Sequence, residues 1–156
     1  MKITKVLIPC LLLLATVASK AQTGTGITDE DLKKYAVTMD SVAAMQESLR
    51  EIVAETVRAN TVMPVARYNE LFKIAEDETK LKAANATPEE VAFLKQIDDL
   101  RKVNTERINT TYQALAKDYV GLKTFNTIRK SLESDQALKA RFENLSKDVD
   151  SKDKRG

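Results

Sequence analysis

Thr87-Pro-Glu-Glu-Val-Ala-Phe-Leu-Lys-Gln-Ile-Asp-Asp-Leu-Arg-Lys-Val-Asn-Thr-Glu-Arg-Ile-Asn-Thr-Thr-Tyr-Gln-Ala-Leu-Ala-Lys-Asp-Tyr-Val-Gly121 is the stretch whose reading decides the fold. It opens with a strong helix-start signal. Thr87 can cap the helix, Pro88 fits the first helical position where its missing N–H costs nothing, and Glu89 and Glu90 oppose the positive end of the helix dipole. Apolar residues then recur at Val91, Leu94, Ile97, Leu100, Ile108, Tyr112 and Leu115 with no breaker before Gly121, which is placed to end the helix in a left-handed cap. Upstream the pattern occurs once more. Thr28 precedes Asp29, Glu30 and Asp31, and an apolar stripe follows at Leu32, Tyr35, Met39, Val42, Leu49 and Val53, broadened by Ala36, Ala43, Ile52 and Val57. No Gly or Pro interrupts it until Pro64, which predicts a helix over Asp29–Asn60 of roughly 45 Å at the α-helical rise.

A shorter segment follows each long one. Pro64 fits the first turn of a helix with Val65, Tyr68, Leu71, Phe72 and Ala75 on its apolar face. Glu76-Asp77-Glu78 marks a kink before Leu81, and Asn85-Ala86 closes the segment. The last helix carries Leu122, Phe125, Ile128 and Leu132, and is re-capped at Ser134-Asp135 before Leu138, Phe142 and Leu145. Residues 147–156, with alternating charges and one Val, read as a flexible tail. No two-residue alternation persists beside turn dipeptides, so the expected class is all-α.

The segments also repeat. Met63-Pro-Val-Ala-Arg-Tyr-Asn-Glu-Leu-Phe-Lys-Ile-Ala-Glu-Asp-Glu-Thr-Lys-Leu-Lys-Ala83 lies over Val120-Gly-Leu-Lys-Thr-Phe-Asn-Thr-Ile-Arg-Lys-Ser-Leu-Glu-Ser-Asp-Gln-Ala-Leu-Lys-Ala140 at an offset of 57. Tyr68 matches Phe125, and Asn69, Lys73, Glu76, Leu81, Lys82 and Ala83 have identical counterparts. The helix starts, Thr28 and Thr87, are offset by 59, a register change that a gap of two residues inside the long helices would absorb. The expected architecture is a four-helix bundle of two tandem long-helix/short-helix hairpins, repeat 28–86 and repeat 87–146, around a shared core.

Ala116-Lys-Asp-Tyr-Val-Gly-Leu-Lys-Thr-Phe-Asn-Thr-Ile-Arg-Lys-Ser-Leu-Glu-Ser-Asp-Gln-Ala-Leu-Lys-Ala-Arg141 is similar to the closing motif of exported bacterial helical domains catalogued as domain of unknown function 4168. That motif has Gly-Leu, an aromatic residue followed by a polar residue and Ile, then Asp before Leu and Arg. The Thr28-to-Tyr35 start resembles the family's opening helix. The first repeat departs from the motif, with Pro64 in place of the Gly and Ala84 where Arg141 stands. The resemblance implies a helical fold and an envelope location, and it brings no catalytic residues.

The N-terminus reads as an export signal over residues 1–21. Lys2 and Lys5 precede an apolar run of 13 residues from Val6 to Ala18, and Ser19 and Ala21 place small residues at the −3 and −1 positions of a cleavage site before Gln22. As a helix the run reaches only about 20 Å against a hydrocarbon core of about 30 Å, so no membrane span is expected after processing. Leu7-Ile-Pro-Cys10 is a poor lipoprotein box, because the stronger apolar run lies after the cysteine. Residues 22–27 read as a polar linker. The expected location is periplasmic or secreted.

Composition narrows the chemistry. The chain has 25 basic and 23 acidic residues; Lys2, Lys5 and Lys20 fall in the signal and no acid does, leaving 22 against 23, net −1. A nucleic-acid partner is not expected from that balance. There is no His or Trp, and the single cysteine, Cys10, lies in the signal. The mature chain therefore lacks an imidazole base, a thiol nucleophile and the usual zinc ligands, and no cofactor or metal is expected. The acids cluster at helix starts and on polar faces (Asp29-Glu30-Asp31, Glu76-Asp77-Glu78, Glu89-Glu90, Asp98-Asp99) without a calcium-loop spacing. Gln46, Asn104 and Thr111 fall near the apolar seams and fix register or line a small-ligand site. Tyr68, Asn69, Phe125 and Asn126 are candidate partner-contact residues, and Asp40-Ser41-Val42 resembles an O-glycan acceptor triplet at Ser41. The expected function is a non-enzymatic module that contacts a protein or cell-envelope partner. The alternatives are a chaperone-like or ligand-binding helical protein and, last, a hydrolase working with two carboxylates.

Overall fold

A computed structural model describes the backbone of residues 26–153 and the side chains of 26–147. The segment expected to be an export signal, with its expected cleavage site at Ala21 and Gln22, lies outside the described residues. The fold is all-α, with no strand among the described residues. Its elements are α1 (Asp29–Ala59), α2 (Val65–Phe72), α3 (Glu78–Ala83), α4 (Pro88–Ala114), a π-helical segment (Leu115–Gly121), α5 (Leu122–Ser134) and α6 (Gln136–Asp153).

Both long helices begin in a capping box. The Thr28 hydroxyl accepts from the Asp31 N–H at 3.1 Å and Asp31 accepts from the Thr28 N–H at 3.0 Å; Thr87 and Glu90 exchange the same pair of bonds at 3.2 and 3.0 Å. Two orphan donors of each first turn are thereby satisfied. Ile27, placed in the linker by its polar neighbours, is buried in the same cluster as Leu32, four residues into the helix. These positions are those of a hydrophobic staple, so the folded domain begins one residue before its cap.

Two apolar clusters form, where the repeat suggested one shared core. The first joins Ile27, Leu32 and Tyr35 at the start of α1 to Ala116, Val120, Phe125, Ile128 and Leu138. The second joins Val57 at the end of α1 and Met63, Tyr68, Leu71 and Leu81 to Phe93, Leu94 and Ile97 at the start of α4. α1 and α4 are thus antiparallel, and short helices cover each end of the pair. Each cluster draws on both halves of the sequence. Between them lies a waist where the long helices pack with little cover: no residue of Met39–Thr56 or Asp98–Arg107 is fully buried.

Phe125, 2% exposed, is the hub of the first cluster, with ring centroids 4.8 Å from Tyr35 and 5.5 Å from Tyr112. Ile128 is fully buried beside it, whereas Leu122, expected on the same face, is 56% exposed. Val65 and Phe72 of α2 are likewise exposed, while Tyr68 and Leu71 are buried. A short helix touches its neighbour along one narrow ridge, and the i, i+3 pairs Tyr68/Leu71 and Phe125/Ile128 are that ridge.

Two further expectations are corrected. Pro64 sits at the N-cap of α2, one residue before the first helical position. Gly121 ends the π-helical segment with a positive φ of 90°, but its ψ of 121° takes the chain into an extended turn and not a left-handed cap. The backbone of α6 continues past residue 147, the expected start of the tail, as far as Asp153.

Phe125→Ala should cost about 3–5 kcal/mol, the usual toll of deleting a buried ring, and thermal melts will read it as a large drop in Tm. A fragment of residues 22–86 should lose most of its helical signal, since it strips Leu32 and Tyr35 of every second-half partner. Cooperative melting of that fragment near the temperature of the whole chain would contradict the mixed cores.

Candidate functional site

Seven residues of α1, namely Gln46, Leu49, Arg50, Val53, Ala54, Val57 and Arg58, are spaced three and four apart and fall on one stripe about 18 Å long. A groove of about 450 Å³ runs along that stripe, bounded by Val65, Tyr68 and Asn69 of α2 and by Arg101 of α4. Leu49, Val53 and Val57 alternate at the i, i+4 spacing that faces the partner helices. Gln46, Arg50, Ala54 and Arg58 form a second i, i+4 row, in which Ala54 leaves a gap between two arginines.

The turn after α1 sets the position of α2. Asn60 accepts from the N–H groups of Val62 and Met63, both at 2.9 Å, and its amide donates back to the Val57 carbonyl. One side chain thus closes the helix end and folds the chain over, burying Met63 and laying Tyr68 against the end of α1. Tyr68 stacks on Phe72 at 5.6 Å and meets Phe93 edge-on at 6.2 Å. Burial pushes its phenol up, and the charge of Arg101 pulls it partly back.

Every charged residue lining the groove is an arginine. Arg50 pairs with Glu47 at 2.6 Å on the exposed face of α1. Arg101 lies over the Phe72 ring, 4.8 Å from its centroid, a cation–π arrangement. Neither Arg58 nor Arg101 forms an ion pair among the described residues. The groove is therefore an apolar trough with positive flanks.

The expected contact residues part company here. Tyr68 and Asn69 line the groove, and Gln46, read as a seam residue, stands at its far end. Phe125 is sealed in the first cluster, and Asn126 is exposed on α5, far in sequence from the groove. Asn104 donates to the Leu100 carbonyl of its own helix at 2.8 Å, and Thr111 is half-buried on α4. Ser41 lies inside α1 with its hydroxyl bonded to the Val37 carbonyl at 2.7 Å, so the triplet is helical and its oxygen already engaged. The sequence reading missed all three groove arginines and Asn60. The signal for the former was Arg50 and Arg58 flanking Ala54 at i, i+4 intervals.

A wider hollow of about 1180 Å³ lies between the α2–α3 connection and α4. It carries Glu76, Asp77, Glu78 and Asp98 among Lys73, Lys80, Lys95 and Arg101. Asp77 caps α3 by accepting from Thr79 and Lys80 N–H groups, both at 3.1 Å, and those bonds hold its carboxyl below the ordinary range. Among the described residues no group of three or more acids converges as a metal site. No helix among them is long and apolar enough to cross a membrane.

Two arginines clip the capped helix starts to the other half of the chain. Arg67 of α2 pairs with Glu90 at 3.1 Å and donates to the Ala84 carbonyl at 2.9 Å. Arg141 of α6 pairs with Asp29 and donates to the Ile27 carbonyl at 3.1 Å. No family model matches the chain, and neither the curated proteins nor the solved structures contain a match.

The Arg67 guanidinium and the Thr87 N–H hold the Glu90 carboxyl below the ordinary glutamate range. Because the folded value is the lower one, Glu90 contributes fully above the ordinary glutamate pKa, and the contribution fades as pH falls through the lowered value. Glu90→Gln should therefore cost about 1–2 kcal/mol at neutral pH, and the gap to the parent protein should narrow in melts taken on the acid side of pH 4. Glu89→Gln, in the exposed neighbour, should cost less than about 1 kcal/mol at neutral pH.

Proposed function

We propose that the chain is an exported, non-enzymatic helical module of the bacterial envelope that binds its partner in the groove between α1 and α2. The observation that carries this is the make-up of the groove: an apolar floor, three arginines, neutral polar ends at Gln46 and Asn69, and no carboxylate. Such a surface can recognise and hold. It offers no general acid or base for hydrolysis, and the sequence contains no imidazole or mature thiol to supply one. In the wider hollow the acids stand among an equal number of cations, and Asp77 is engaged in capping, which supports a structural use for them.

We read the domain as a tandem duplication, 28–86 and 87–146, whose two hairpins close on each other as a four-helix bundle. Paired burial supports this. Val57 and Ala116 are buried at an offset of 59, while Met63, Tyr68, Leu71 and Leu81 are buried at an offset of 57 from Val120, Phe125, Ile128 and Leu138. On this reading the two-residue gap falls at the exits of the long helices and not inside them. The first copy turns through the Asn60 bend where the second uses the π-helical segment.

Export is tested by intact mass: the secreted product should begin at Gln22, and a lipid on Cys10 would overturn the assignment. The groove is tested by cross-linking from envelope extracts with the mature protein. A partner captured by the parent should be lost with Ala54→Trp, which fills the gap between Arg50 and Arg58, and kept with Leu122→Ser, which alters an exposed residue of α5. Equal capture by all three would refute the groove as the binding surface.

A further inference from the structure

The α1–α2 groove has both a size and a charge, and together they narrow what it can hold. Its volume of about 450 Å³ lies within the range of small-ligand pockets. Its floor of Leu49, Val53 and Val57 extends along α1 as a narrow trough, suited to one slender apolar body. Its cations stand on both sides, Arg50 and Arg58 on the α1 rim and Arg101 on α4.

We propose that the groove is a site for a small amphiphilic anion, a carboxylate carried on an aliphatic body. This rests on the groove being the binding surface, and goes beyond it by naming the ligand class. Arg101 is the group that holds the head. Its Cζ stands 4.8 Å from the centre of the Phe72 ring, a contact that positions the guanidinium while its N–H groups stay without an ion-pair partner among the described residues, available to the two oxygens of a carboxylate. Arg58 supplies a second cation without an ion-pair partner among the described residues. Arg50 already has Glu47 and contributes field more than contact. The tail lies over Val53 and Val57 with the Tyr68 ring as its wall. A cationic amphiphile of the same length would meet Arg58 and Arg101, neither of them ion-paired among the described residues, and no carboxylate in the groove lining.

In the other half of the domain the same space is filled. Tyr112 stands at the position matching Val53, and its ring packs edge-on against Phe125 with centroids 5.5 Å apart. Where Tyr112 closes the first cluster, the smaller Val53 leaves the second one open along α1.

The test titrates the mature full-length chain with dodecanoate, dodecanol and dodecyltrimethylammonium below their aggregation limits, followed by calorimetry and by amide NMR. Dodecanoate should bind one to one with shifts centred on Ala54, Val57 and Asn69, and dodecyltrimethylammonium about tenfold or more weaker. Arg101→Gln should weaken dodecanoate about tenfold and leave dodecanol unchanged, and Ala54→Trp should abolish both. Should Ala54→Trp fail to fold by circular dichroism, Ala54→Leu serves in its place. Equal affinity for the cationic amphiphile, shifts mapping away from the groove, or no saturable binding would each overturn the proposal. Absent dodecanoate binding alongside capture that Ala54→Trp still abolishes would leave the groove as the binding surface and refute the anion. Saturable binding of an acidic peptide in place of dodecanoate would do the same.

Discussion

The antiparallel pairing of α1 with α4 is the constraint on which everything else in this domain depends. Each helix is long, and each can bury an apolar face only where another element crosses it. The chain meets that need by returning its short helices to the ends of the pair, so that Leu32 and Tyr35 are covered by the second half and Phe93, Leu94 and Ile97 by the first. Neither half is complete alone. With a single cysteine in the sequence and few aromatic residues, that exchange does the work a single large core does elsewhere.

The arginine clips follow from the same arrangement. A helix start carries unsatisfied N–H groups and attracts acids, and both long helices place first-turn acids where a short helix of the opposite half passes. Glu90 is used twice, as capping partner and as tertiary anchor of Arg67, whereas Arg141 takes Asp29, a first-turn acid two residues before the capping Asp31. Arg67 and Arg141 do not coincide when the two segments are aligned at an offset of 57; Ala84 stands opposite Arg141. The two ends therefore reach similar geometry by different side chains.

Much of this fold was legible in the sequence, and the reasons are specific. Thr28 and Thr87 announced their helices because capping is local chemistry, set by residues within one turn. The breaks at Pro64, Asp77, Asn85 and Ser134-Asp135 were visible for the same reason, and Asn85 does adopt a positive φ of 52°. What escaped depends on contacts distant in sequence. Leu122 and Phe72 have the right spacing to be buried, but nothing crosses above them. The π-helical turn at Leu115–Gly121 has no compositional mark, since its wider backbone serves to bring Ala116 and Val120 together onto the first cluster. Of the candidate contact residues, Tyr68 and Asn69 reach the groove and Phe125 does not, although the two aromatics coincide when the segments are aligned at an offset of 57. Val53 against Tyr112 is the difference, and one alignment position cannot reveal a space that three helices enclose.

The waist has a consequence for how the molecule moves. Between Met39 and Thr56 the amides of α1 are tied by the helix's own hydrogen bonds and are not locked behind a closed core. Protection against hydrogen exchange should therefore be layered, deepest at Leu32–Ala36 and near Ile97, and shallower in between. The groove straddles that boundary, one end on the second cluster and the other on the waist at Gln46. Whatever lies in it would brace the softer span against the firmer one, and slow exchange would spread along α1 from Val57 toward Gln46 like a splint set on one side of a joint.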